Sequence, residues 1–202
     1  MLSDLMLSSV LILAGLLCDV FDGFSARMLN AQSELGKQLD SLSDLITFGL
    51  APAYLFFLQA PGTEWYLYIG PLILVICSSL RLGKFNTLPS SKYFIGLPTP
   101  ATAIFFLGVF FALDSNNPLV SNLLNNPIIY TAVPVTVGLL MISRMTMFSL
   151  KSVNKSFASY LPLLTLSVLT LALAIFNWRL AFSGLVVLYI LISLLTTPAP
   201  RE

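Results

Sequence analysis

The sequence predicts an all-α, polytopic transmembrane bundle of about seven helices, and three observations carry that reading. Hydrophobic residues make up 57% of the 202-residue chain and charged residues only 9%, against roughly a quarter charged in soluble domains. The apolar residues fall into several runs close to the roughly 20 needed to cross a bilayer core, distributed from end to end. These runs are continuous rather than alternating with period two, so they cannot be barrel strands, and helices must satisfy their backbone groups internally.

Seven runs read as spans, each bounded by turn or interface chemistry. The first, 5–29, is apolar through Cys18 and closes near Arg27. The second, 39–58, stops before Pro61-Gly62. The third, 65–82, opens on Trp65, Tyr66 and Tyr68, aromatic residues suited to a headgroup boundary, and gives way to a polar stretch over 86–92. The fourth, 97–113, ends at Asn116-Asn117-Pro118, and the fifth, 127–148, starts after Asn125-Asn126. Asn177 and the interfacial Trp178 separate the sixth, 157–176, from the seventh, 180–195. No repeat or composition shift divides the chain, so residues 1–202 are expected to form one integral membrane domain.

The net charge of +1 gives no basic field for nucleic acid, and none is expected as a partner. Cys18 and Cys77 both lie in apolar runs, where a small buried hydrophobe is the expected role. Histidine is absent, which removes histidine-based triads, dyads and zinc sites and leaves carboxylates as the main source of any metal site or general base. With alternate loops on opposite sides, Arg27, Lys37, Arg81, Lys84, Lys92, Arg144, Lys151, Lys155 and Arg201 share one side and Arg179 the other. The positive-inside rule makes the first side cytoplasmic. Met1 then falls outside without a positive flank, so an additional span encoded in frame upstream is expected.

Four aspartates break the apolar pattern. Asp19 and Asp22 are three residues apart and Asp40 and Asp44 four, so each pair shares a helical face. With Arg27 and Lys37 as surface markers and about 1.5 Å of rise per residue, Asp19 lies roughly 12 Å and Asp44 roughly 10 Å below the same surface. One carboxylate at the centre of a membrane helix costs about 2.5–3.5 kcal/mol, and four cost on the order of 10 kcal/mol without counter-charge. Arg27 and Lys37 cannot neutralise four; two divalent cations can, and all-oxygen ligands favour Mg2+ or Mn2+. Gly23, Ala26 and Gly36 keep the nearby surface small, either for ligand approach or for ordinary helix packing. Arg27 adds a planar fork suited to phosphate.

The run Asp19-x-x-Asp22-Gly23-x-x-Ala26-Arg27, then Gly36-x-x-x-Asp40-x-x-x-Asp44 after eight residues, resembles the complete signature of the CDP-alcohol phosphotransferases. That resemblance implies an integral membrane fold with a six-helix core, usually homodimeric, whose site opens to the cytoplasm of a bacterial or archaeal cell. One helix ahead of the signature helix belongs to the family pattern. The implied reaction is attack of an alcohol on a CDP-linked lipid with loss of CMP. The resemblance makes Asp19, Asp22, Asp40 and Asp44 ligands of two Mg2+ or Mn2+ ions, with Asp44 also the base; Gly23, Ala26, Arg27 and Gly36 line the CDP site.

Three further stretches resemble the serine-using branch, the phosphatidylserine synthases: 41–53, 80–86 and 94–101. They imply CDP-diacylglycerol and L-serine as substrates, with Arg81, Lys84 and Asn86 on the acceptor side. Gly83-Lys84 departs from the Ala-Arg usual before Phe-Asn, and lysine loses the bidentate fork. Read without the resemblance, Arg81, Lys84 and Lys92 are also positive-inside anchors, and Asn86 a turn residue. Two other functions stay open: the same chemistry on glycerol phosphate or inositol phosphate, and a cation transporter whose path the four aspartates line.

Overall fold

A computed structural model describes residues 2–29, 33–87, 94–147 and 157–196. Lys92, Lys151, Lys155 and Arg201 lie outside the described residues, as does the side chain of Arg27.

The chain folds as a helical bundle in which each expected span is helical over most of its length. Helix α1 covers Leu2–Met28. The second span is a composite: α2 (Glu34–Asp44), a π-helical turn (Leu45–Leu50) and α3 (Ala51–Phe57) run on as one rod. A 3-10 turn at Trp65–Tyr68 leads into α4 (Ile69–Thr87), with Trp65 and Tyr66 exposed as boundary anchors should be. Helices α5 (Thr99–Asp114), α6 (Pro118–Leu124) and α7 (Pro127–Ile142) follow, and α8 (Phe157–Thr196) closes the chain.

Leu5–Ala26, Trp65–Thr87 and Pro162–Thr196 are each long and apolar enough to cross a bilayer, and α5 with α6, bent by 110°, is a fourth candidate. These are the long apolar helices of a multi-pass membrane protein. The outward face of α1, including Leu7, Leu11, Val20 and Phe21, is exposed and apolar, as contact with lipid requires. Cys18 lies exposed on that helix while Cys77 is buried, so the expected burial holds for Cys77 only. The reason is that α1 packs along one side, chiefly on α5.

Three departures from the expected spans have local causes. Asn117 accepts hydrogen bonds from the Leu119 and Val120 amides and Asn126 from the Ile128 amide, so each Asn-Pro pair both ends one helix and starts the next. That adds α6 where a plain break was expected. The fifth span stops at Ile142 instead of continuing to 148; Ser143 is extended, and β2 (Thr146–Met147) pairs antiparallel with β1 (Phe94–Ile95). Gly96 makes this approach possible: its φ is +73°, and a Cβ there would run into the carbonyl of Met141. At Asn177 (φ −156°, ψ 95°) α8 breaks at the expected place, and the Asn177 side chain caps the second half through the Arg179 and Leu180 amides.

The core sits where α4 meets α7 and α5 meets α8. Phe56, fully buried, stacks on Tyr130 at 4.6 Å between ring centroids and meets Phe106 edge-on at 5.3 Å. The Tyr130 hydroxyl donates to the Phe56 carbonyl at 2.7 Å, which satisfies the polar tip of a buried aromatic. This block ties α3 to α5 and α7 and so anchors the C-terminal end of the rod that begins with α2.

Candidate active site

Helix α1 meets the composite second rod at its π turn, just past the end of α2. A Cβ on Gly15 would lie 2.6 Å from the Thr47 methyl, so α1 touches the π turn there. Beyond it toward the chain segment that joins them, the two helices have little contact with each other; α4 is the neighbour α2 rests on. Asp19 comes one turn after Gly15, and Asp44 just before Thr47, so both carboxylates face the opening cleft.

There the four aspartates converge. One carboxylate oxygen each from Asp19, Asp22 and Asp40 lies within 4.8 Å of the others. Asp44, half-buried, reaches the Asp19 carboxyl within hydrogen-bonding contact. Carboxylates packed this closely repel, and only a shared proton or a bound cation relieves them. Oxygen ligands on Mg2+ stand roughly 3–4 Å apart given bonds of about 2.0–2.1 Å, so small side-chain rotations bring this group onto a divalent ion.

The cleft forms an open pocket of about 870 Å3 lined by Asp22, Gly23, Ala26, Gly36 and Asp40 among others. Among the described residues, no neighbouring atom beyond its own turn of helix comes within 4 Å of where a Gly23 Cβ would sit. Gly23 lines the pocket with room on its open side. Ser33, Glu34, Lys37 and Ser43 also line it and were not singled out as site residues from sequence. Ser33 was findable: it caps α2, accepting from the Gly36 amide at 3.0 Å, in the familiar serine-before-acidic pattern of a helix start.

The three acceptor-side candidates on α4 have different surroundings. Arg81 is buried, and its NH1 donates to the main-chain carbonyls of Ile95 (2.8 Å) and Met141 (3.2 Å), tying α4 to the β1–β2 pair and to α7. Lys84 is exposed. Asn86, five residues and so roughly 140° of arc from Arg81, donates through Nδ2 to Ser41 Oγ at 2.8 Å. Its Oδ1 is buried and has no hydrogen-bond partner among the described residues.

Residues 2–138 match the profile of the CDP-alcohol phosphatidyltransferase family. The chain is 36% identical over 143 residues to the CDP-diacylglycerol–serine O-phosphatidyltransferase of Methanocaldococcus jannaschii, which covers 71% of this chain and 64% of that one. It is 47% identical over 92 residues to the Bacillus subtilis protein of the same name, covering 44% of this chain and 51% of the relative. With the archaetidylserine synthase of Methanothermobacter thermautotrophicus it shares 42% identity over 99 residues, or 47% and 42% of the two chains. The chain thus spans less than two thirds of each of these relatives.

Proposed function

This chain belongs to the CDP-alcohol phosphatidyltransferase family, and from that premise we propose that it transfers a phosphatidyl group from CDP-diacylglycerol to the hydroxyl of L-serine. The clustering of Asp19, Asp22 and Asp40, with Asp44 against Asp19, where Asp22 and Asp40 open onto the pocket beside Gly23 carries the proposal. An ion path gains nothing from an open pocket lined by a glycine at the end of two helices, so the geometry favours the enzyme over a transporter. Relatives named for serine as acceptor support serine here.

In the proposed reaction the serine hydroxyl oxygen bonds to the phosphorus carrying diacylglycerol. The bond from that phosphorus to the bridging oxygen breaks, and CMP leaves with the electron pair. Asp44, the most sheltered carboxylate of the α2 pair, takes the hydroxyl proton. Asp19, Asp22 and Asp40, with Asp44, would hold two divalent cations, Mg2+ or Mn2+, which supply charge neutralisation for the pyrophosphate and the developing oxyanions when bound. Gly23, Ala26 and Gly36 admit the nucleotide's phosphates close to the helices, and Arg27 is assigned to those phosphates. The unpartnered Asn86 Oδ1 suits a donor on the acceptor molecule, such as an ammonium group. Arg81 and Lys84 supply positive charge on the acceptor side. The site faces the cytoplasm, and the working unit is a homodimer.

An acceptor panel tests this reading. Purified protein supplied with CDP-diacylglycerol is expected to make lipid product with L-serine and little with glycerol phosphate or inositol phosphate. A phosphorylated acceptor that outcompetes serine would overturn the serine assignment while leaving phosphatidyl transfer in place.

A further inference from the structure

Helix α2 carries half of the carboxylate site, yet none of its residues is buried. Something other than apolar packing must set its distance from α1. Three hydrogen bonds at its outer side form a closed circuit with α4. Asn86 Nδ2 donates to Ser41 Oγ (2.8 Å), Ser41 Oγ donates to the Lys37 carbonyl (3.1 Å), and Lys37 Nζ returns to the Asn86 carbonyl (3.4 Å). With the single Ser41 hydroxyl proton on the Lys37 carbonyl, the Asn86 amide faces Ser41 with its donating nitrogen.

Ser41 follows Asp40 directly and precedes Asp44 by less than one turn, so the circuit grips α2 at the level of its carboxylates. Resting on the reading of this pocket as a divalent-cation site, we infer that Ser41 and Asn86 are positioning residues: their hydrogen bond holds α2 where Asp40 can share cations with Asp19 and Asp22. Neither side chain touches the cations in this role. Asn86 divides its amide between two tasks, Nδ2 for the helix and Oδ1 for the acceptor side.

Direct Mn2+ binding to the purified full chain, read by electron paramagnetic resonance without substrate, tests this independently of turnover. Ser41→Ala and Asn86→Ala are each expected to weaken Mn2+ binding by about tenfold, at the low end of what outer-shell partners of metal ligands contribute. The double variant should bind no more weakly than either single one, because both remove the same bond. Ser41→Thr, which keeps the hydroxyl, should stay close to wild type. At saturating Mn2+ the serine KM of Ser41→Ala should remain within about twofold of wild type. Unchanged Mn2+ affinity in Ser41→Ala, even alongside a lower melting temperature, overturns the inference, as does additive loss in the double variant. Wild-type protein that binds Mn2+ with the expected variant pattern but releases no CMP would overturn the proposed reaction and leave this inference standing.

Discussion

Two neighbouring helices solve opposite problems: α4 buries seven of its 19 residues in the core, while α2, which leans on it, buries none of its 11. α4 is held by area, chiefly against α7. α2 is held by direction, through a serine cap, the Ser41–Asn86 circuit and the turn that joins it to α3. The difference teaches where function can tolerate polarity. A carboxylate-rich helix cannot sink into an apolar core without large desolvation costs, so it stands beside the core and borrows its position by hydrogen bonds.

If that division is right, damage to the polar side should abolish chemistry and spare folding. The largest effect is expected from Asp19→Asn or Asp40→Asn: loss of measurable CMP release, with a melting temperature in detergent no lower than wild type because one repulsive charge is gone. Either variant turning over near the wild-type rate would separate that aspartate from the site. Asp44→Asn ranks next. Turnover is expected to fall by about two to four orders of magnitude, the range of general-base catalysis, with CDP-diacylglycerol binding still measurable by direct titration.

The smallest effects sharpen the contrast, through two glycines. A Cβ on Gly49 would stand 2.9 Å from Ser78 Cβ on α4, whereas one on Gly23 meets nothing within 4 Å among the described residues. Gly49→Ala should therefore cost about 1–3 kcal/mol by overpacking, seen as a lower melting temperature with KM for CDP-diacylglycerol unchanged. Gly23→Ala should leave melting unchanged and raise that KM a few-fold. Exchanged outcomes would mean that pocket and packing surface are assigned the wrong way round.

The sequence revealed the parts of this molecule that depend on local periodicity. Apolar runs marked each span, and three- and four-residue spacings placed the aspartate pairs on single faces before any tertiary contact was known. Hidden features were those that depend on partners far along the chain. The π turn at Leu45–Leu50 follows Asp44 in an apolar run that reads as ordinary helix, and its close partner, Ser78, is 29 residues beyond Gly49. Arg81 offers only a charge until the β1–β2 pair brings Ile95 within reach and α7 supplies Met141. Helix α6 is a different case, since Asn117-Pro118 and Asn126-Pro127 carry both cap and first-turn signals. Their turn chemistry marks a stop, and the same chemistry starts the next helix.

The central claim is that carboxylates from α1 and α2 form one divalent-cation site for phosphatidyl transfer to serine. A single reaction addresses it most directly: purified protein with CDP-diacylglycerol and L-serine, first in chelator and then after excess Mn2+ or Mg2+, with CMP and lipid product quantified together. Neither product should form in chelator, and equal amounts of CMP and phosphatidylserine should appear once the cation is restored. Full turnover in chelator would contradict the metal site, and CMP released without phosphatidylserine would contradict serine as the acceptor.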